Sequence, residues 1–182
     1  LRFCVAACYS LTVVRGSPNP RHFQLPTRVG KTRKGLKLTR MGLAARAGVS
    51  EATALYVETG RQVPTVGTIA KLAAALGVSA PWLAYGLGEA SADGAATCDG
   101  MGERLRSIRS ERGYTRTDLA RMADRSPPTI AAIEDGGQAG VDTIEALAKS
   151  LGVSPGWLAY GLGPMELPGR RRVAAPPAAS PG

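Results

Sequence analysis

A chain of 182 residues with 44% apolar and 20% charged side chains has an ordinary soluble make-up, yet Phe, Trp and Tyr reach only 5%, so its cores must rest on Leu, Ile, Val and Ala. The formal charge of +9 favours a polyanionic partner, and no run approaches the ~18 apolar residues that a membrane span needs. Cys4, Cys8, Cys98 and the lone His22 lack any paired Cys-x-x-Cys spacing, which argues against a metal site and a disulfide framework and suits a reducing, cytoplasmic compartment.

Residues 1–24 carry an apolar patch broken by Ser17, Pro18 and Pro20, with no helical or alternating pattern. They read as a disordered segment, or as one translated from upstream of the true start. The Val-Ala-Ala-Cys at 5–8 follows too short an apolar run to mark export. Charge is uneven: residues 1–38 hold eight Lys/Arg and no acid.

A first module is expected over 25–88. PTRVGKTRKGLK predicts a basic helix with Val29, Thr32 and Leu36 on its inner face. Thr39 is placed to cap the next helix, which carries Leu43, Ala44 and Ala47. Gly48-Val49-Ser50 then predicts a tight turn in which Gly48 takes positive φ, Val49 is buried and Ser50 caps a third helix. That helix buries Ala54 and Val57 and ends at Gly60. A fourth places Ile69, Leu72 and Leu76 on one face by their spacing of three and four. Ser79 caps a fifth, with Pro81 in its first turn and Trp82-Leu83 toward the core.

After EASADGAATCDG (89–100), whose Gly, Ala, Ser and Asp predict a flexible linker, the pattern returns over 101–163. LGVSAPWLAYGLG (Leu76–Gly88) and LGVSPGWLAYGLG (Leu151–Gly163) agree at eleven of thirteen positions. TIAKLAAALGVS matches TIEALAKSLGVS, and LTRMGLAARAGVSEATALYVETG matches YTRTDLARMADRSPPTIAAIEDG. Self-similarity of this density marks two copies of one module of about 60 residues, a size that can fold alone. The second copy has the better first helix, with Leu105 and Ile108 at i and i+3, and Asp118 completes a capping box with Thr115. Its turn replaces Gly-Val by Asp124-Arg125, a change that bears on its geometry, and its eight basic and eight acidic residues cancel. The Pro/Ala-rich residues 164–182 cannot build a core and read as a disordered tail.

On the strength of LAARAGVS and VETGRQVPTVGTIAKLAAALGVS, with a Trp-Leu-x-x-Gly-x-Gly close, each copy resembles the Cro/phage-repressor (XRE family) helix-turn-helix domain. The resemblance implies an all-α fold of two tandem five-helix, lambda-repressor-like domains. It also implies that the third helix enters the major groove of double-stranded DNA while the start of the second helix and the loop after the third hold phosphates. Carried onto this chain, Ser50–Glu58 becomes the recognition helix of the first domain. The DNA-facing set becomes Ser50, Glu51, Ala52, Thr53 and Tyr56, with Ser126, Pro127 and Thr129 in the second copy beside Pro128, Ala131 and Ala132. Arg40, Arg116, Arg61 and Gln62 take the phosphate positions, and Asp135 puts an acid in the corresponding loop of the second copy. Neither helix carries the Gln, Asn or Arg that usually read adenine and guanine, although Glu51 can accept from a cytosine amino group and Ala52 or Pro127 can touch a thymine methyl.

The expected function is therefore a sequence-specific, DNA-binding transcriptional regulator in which the first domain reads and the second is a weaker DNA-binding or dimerisation module. The alternative is a protein-interaction or assembly scaffold built on degenerate helix-turn-helix domains. No Cys-His or Ser-His pair stands on a motif and no glycine-rich loop follows a strand, so neither enzyme nor cofactor is expected. Two domains in one chain can replace the usual two-subunit dimer, but one strong and one weak surface suit a symmetric site poorly, which favours a homodimer through the first copies.

Overall fold

Hydroxyls cap six of the described helices, whereas Ser79, expected to cap the fifth, makes no side-chain cap bond. In the computed structural model, which describes residues 24–91 and 96–166, Thr39 accepts the N–H of Gly42 at 2.9 Å ahead of α2, and Ser50 accepts that of Thr53 at 3.1 Å ahead of α3. The described residues form ten helices: α1 (Gln24–Gly35), α2 (Arg40–Ala47), α3 (Glu51–Thr59), α4 (Val66–Leu76), α5 (Ala80–Tyr85), then α6 (Met101–Glu111), α7 (Arg116–Met122), α8 (Pro127–Glu134), α9 (Val141–Leu151) and α10 (Pro155–Tyr160). Within these residues the only β pairing is two isolated bridges, Thr65 with Gly140 and Val78 with Ser91. No helix among them is long and apolar enough to cross a membrane. Residues 1–23 of the expected disordered segment, 92–95 of the expected flexible linker and 167–182 of the expected tail lie outside the described residues.

Each set of five helices closes around an aliphatic core, as the composition requires. Leu25, Val29, Leu43, Val57, Ile69, Leu72 and Leu83 are buried in the first, and Leu105, Ile108, Leu119, Ile130, Ile133, Ile144, Leu147 and Leu158 in the second. Trp82 and Trp157 are half-buried and pack on the rim of that core. The inner face of α1 departs from expectation: Leu36 is 47% exposed, and the third buried position is Arg33. Leu36 comes after the last residue of the helix, so the 3.6-residue period no longer governs where it points. Val49, expected to be buried, is half-buried.

Turn geometry survives in the second copy. Gly48 ends α2 at φ 62°, and its counterpart Asp124 sits at φ 53°. Asp is among the few non-Gly residues that visit this region, at a cost of about 1 kcal/mol. The neighbouring Arg125, which stands where the first copy has Val49, turns to Asp142 (3.2 Å) and Thr143 (3.3 Å).

The two modules face each other across a pseudo-two-fold axis, with α5 packed on α10. Contacts between them come in reciprocal pairs. The Val66 N–H donates to the Ala139 carbonyl at 2.9 Å, and the equivalent Val141 N–H donates to the Pro64 carbonyl at 3.1 Å. The Tyr85 hydroxyl points at the Val141 carbonyl (3.4 Å), and the Tyr160 hydroxyl at the Val66 carbonyl (3.3 Å). Thr65 and Gly140, which occupy the same place in their modules, bridge each other on the axis. A head-to-tail arrangement would not make each contact twice; an isologous one must. The described ends of the intervening 89–100 segment are held to the modules: Ala90 accepts the Ser79 N–H at 3.0 Å, and Ala96 and Cys98 pack against the core.

Candidate nucleic-acid interface

Helix α3 packs on α1 and α2 and leaves its polar start and one face uncovered. Glu51, Ala52 and Tyr56 are exposed, whereas Ala54 and Val57 anchor the opposite face. Ser50 and Thr53 lie at the helix start, where their hydroxyls meet at 2.8 Å and Ser50 takes the Thr53 N–H. Their first task is thus to end-cap the helix. In α8, Ser126 and Thr129 repeat this arrangement at 2.8 Å, and Pro127 and Pro128 occupy the first turn, where a missing N–H costs nothing. Pro127, Pro128 and Ala132 are exposed and Ala131 is half-buried.

What sets the pitch of α3 is a carboxylate that sequence reasoning passed over. Glu58, with a side chain only 5% exposed, receives Arg33 of α1 and the Nε of Arg40 of α2 at 2.7 Å. Arg33 also donates to the Leu38 carbonyl. Three helices are thereby pinned at one point. Burial by itself would raise the Glu58 carboxyl, but the hydrogen bonds and charges of Arg33 and Arg40 outweigh it and hold the group below the usual range. Glu134, whose side chain is fully enclosed, repeats the cluster with Arg109 (2.6 Å) and Arg116 (2.8 Å), and its carboxyl is likewise held low against the opposing effect of burial. The signal was present in the sequence: Arg33, Arg40 and Glu58 recur as Arg109, Arg116 and Glu134 at identical spacing.

This changes the role of several basic residues. Arg40 and Arg116 are each engaged through Nε, yet their side chains remain 47% and 44% exposed, so the rest of each guanidinium fork faces outward. Arg33 is withdrawn from the surface altogether. Arg28 is also spent internally, donating to the carbonyls of Leu83 (3.0 Å) and Ala84 (2.9 Å) at the end of α5, as Arg104 does to Leu158 (3.1 Å) and Ala159 (2.9 Å) at the end of α10. A cation there complements the helix dipole. The basic run 28–37 thus leaves Lys31, Lys34 and Lys37 as its exposed charges.

Arg61 and Gln62 are exposed in the loop that follows α3. In the corresponding loop, Asp135 does not stand as a bare acid: Arg106 reaches it at 2.9 Å and also bonds the Glu134 carbonyl at 3.1 Å. Local charge there is balanced. The second copy also ends its third helix at Asp135 rather than at the glycine, with Gly136 following at φ 91°. Among the described residues no group of three or more His, Cys, Asp or Glu side chains is placed to hold a metal ion; Cys4, Cys8 and His22 lie outside them.

Two protein families match the chain, one described as "Helix-turn-helix domain" over residues 24–84 and one as "Helix-turn-helix" over residues 105–158. No curated protein and no solved structure gives a significant match.

Proposed function

Because this chain belongs to the helix-turn-helix family twice over, as two tandem XRE-type domains, we propose that it is a sequence-specific DNA-binding transcriptional regulator whose first domain does most of the reading. One observation carries the proposal. A third helix, capped at its start and pinned from behind by Glu58, is presented with exposed Glu51, Ala52 and Tyr56 and is flanked by the half-exposed Arg40 and the exposed Arg61 and Gln62. Such an element suits the major groove, with Arg40, Arg61 and Gln62 on phosphates and the start of α3 on base edges. Glu51 then selects for a cytosine amino group and Ala52 for a thymine methyl. The second domain contributes Arg116 to phosphate and the apolar start of α8, Pro127 above all, to a thymine methyl, which makes it the weaker reader. Ser50, Thr53, Ser126 and Thr129 act mainly by holding the helix starts in shape.

The scaffold reading is favoured by one feature, the lack of hydrogen-bonding side chains at the exposed Pro127, Pro128 and Ala132 of α8. Selection of bound sequences from random duplex DNA, followed by salt titration, separates the two. A regulator yields a consensus and a log–log salt slope that falls by about 0.9 for each phosphate contact removed, so Arg61→Ala should weaken binding on all sequences and flatten the slope by about that amount. Recovery of no sequence at low salt would overturn the proposal.

A further inference from the structure

In the thirteen-residue repeat the two modules are nearly identical, and what differs lies where α5 meets α10. On the pseudo-two-fold axis Pro81 of α5 meets Gly156 of α10, which occupies the equivalent place in its module; a Cβ at Gly156 would lie 2.9 Å from the Pro81 Cβ. Within the thirteen-residue repeat the only differences are Ala80/Pro155 and Pro81/Gly156. Divergence in the repeat is thus confined to the contact point.

One further glycine lies at the contact: a Cβ at Gly67 would lie 2.6 Å from the Gln138 Oε1 of the other module. The counterparts of Gly67 and Gly156 are Asp142 and Pro81, each with a side chain. Pairing two first modules would set Pro81 against Pro81, where a rigid ring has no rotamer by which to escape. Pairing two second modules would set Gly156 against Gly156 with a gap between them, and Asp142 where Gly67 now admits Gln138. Like-with-like pairing is therefore overpacked in one case and underpacked in the other.

We propose that this surface is coded for unlike halves, so that a single chain closes on itself as a built-in heterodimer and is the unit that meets DNA. Its operator then consists of two half-sites of different sequence about one helical turn apart. Connection through residues 89–100 raises the effective concentration of each module at the other to the order of mM, which favours closure within the chain over association between chains. This replaces the homodimer expected from the unequal surfaces. The DNA clause rests on the function proposed above; the pairing clause does not.

The test uses the whole chain. Sedimentation over a hundredfold range of concentration should give the mass of one chain throughout. In hydrogen exchange the amides of Val66 and Val141, which donate across the axis, should be protected in the parent. Gly156→Ala should lower their protection by about tenfold or more with the Leu72 and Leu147 amides unchanged, and adding Pro81→Gly should restore it. A concentration-dependent dimer, or Val66 and Val141 amides indifferent to Gly156→Ala, would overturn the proposal; should Gly156→Ala fail to fold, the mass of the parent and of Pro81→Gly still decides it. On duplex DNA carrying both half-sites one chain should bind, and two chains per duplex would refute it. A closed one-chain pair that binds no DNA would instead remove the regulatory function and leave the pairing standing.

Discussion

Replacing Glu134 by Gln tests whether the arginine cluster holds the third helix of the second domain in place. The carboxylate is fully enclosed and receives Arg109 at 2.6 and 3.3 Å and Arg116 at 2.8 Å, with Arg106 at 3.7 Å. Arg116 and Arg106 are about half exposed, and solvent screening leaves pairs of that kind little weight in stability. Arg109, 13% exposed and still bonded to the Tyr114 carbonyl at 2.8 Å, is the costly partner, because the variant leaves its charge buried without an anion. Breaking such a pair costs roughly 3–5 kcal/mol. Retention of the Gln carbonyl as an acceptor brings the expected loss to the low end, about 3 kcal/mol. Urea denaturation followed by circular dichroism reads it directly.

The pH dependence supplies a sharper check. Although burial opposes it, Arg109 and Arg116 lower the carboxyl, so the native state binds its proton less readily than the unfolded chain. The contribution of Glu134 is accordingly complete above the unfolded value of about 4.3 and is lost as pH falls through the lower native value. The stability difference between parent and Glu134→Gln should be full at pH 7 and shrink as pH falls below about 4. A difference that stays constant from pH 7 to pH 2, or a variant that melts with the parent, would show that the cluster does not act as an ion pair.

Two other substitutions probe the same scaffold. Asp124→Gly removes a side chain from a backbone at φ 53° and should stabilise the second domain by about 0.5–1 kcal/mol, seen as a higher melting midpoint; a lower one would mean that the carboxylate contributes more than the left-handed backbone costs. Trp157→Ala should cost about 2–3 kcal/mol rather than the 3–5 of a fully buried Trp, because the ring is half-buried on the rim, and loss of DNA binding without loss of stability would show that packing is not its role.

Periodicity and capping made the helices legible from the sequence. Ile69, Leu72 and Leu76 recur with their counterparts at helical spacing, and Thr39, Ser50, Thr115 and Ser126 precede helices as the cap rule requires. Legibility failed where a polar group does the work of an apolar one. Arg33 reads as surface charge until Glu58, twenty-five residues on, is brought beside it. Asp135 reads as an acid facing DNA until Arg106 closes on it. Both are tertiary ion pairs, and no local pattern announces them. The contact of Pro81 with Gly156 was also beyond local reading, because two substitutions in a repeat acquire meaning only once the repeats face each other.

The exchanged backbone bonds at Val66 and Val141 carry a consequence for the helix starts. Each is the first residue of its helix, and an N–H at that position has no partner within the helix. Here the partner is a carbonyl of the opposite module, Ala139 for α4 and Pro64 for α9, so each domain lends the other the end of its fourth helix. Separating the two modules would strip the first turn of α4 and of α9 of these acceptors while leaving the rest of each helix bonded within itself.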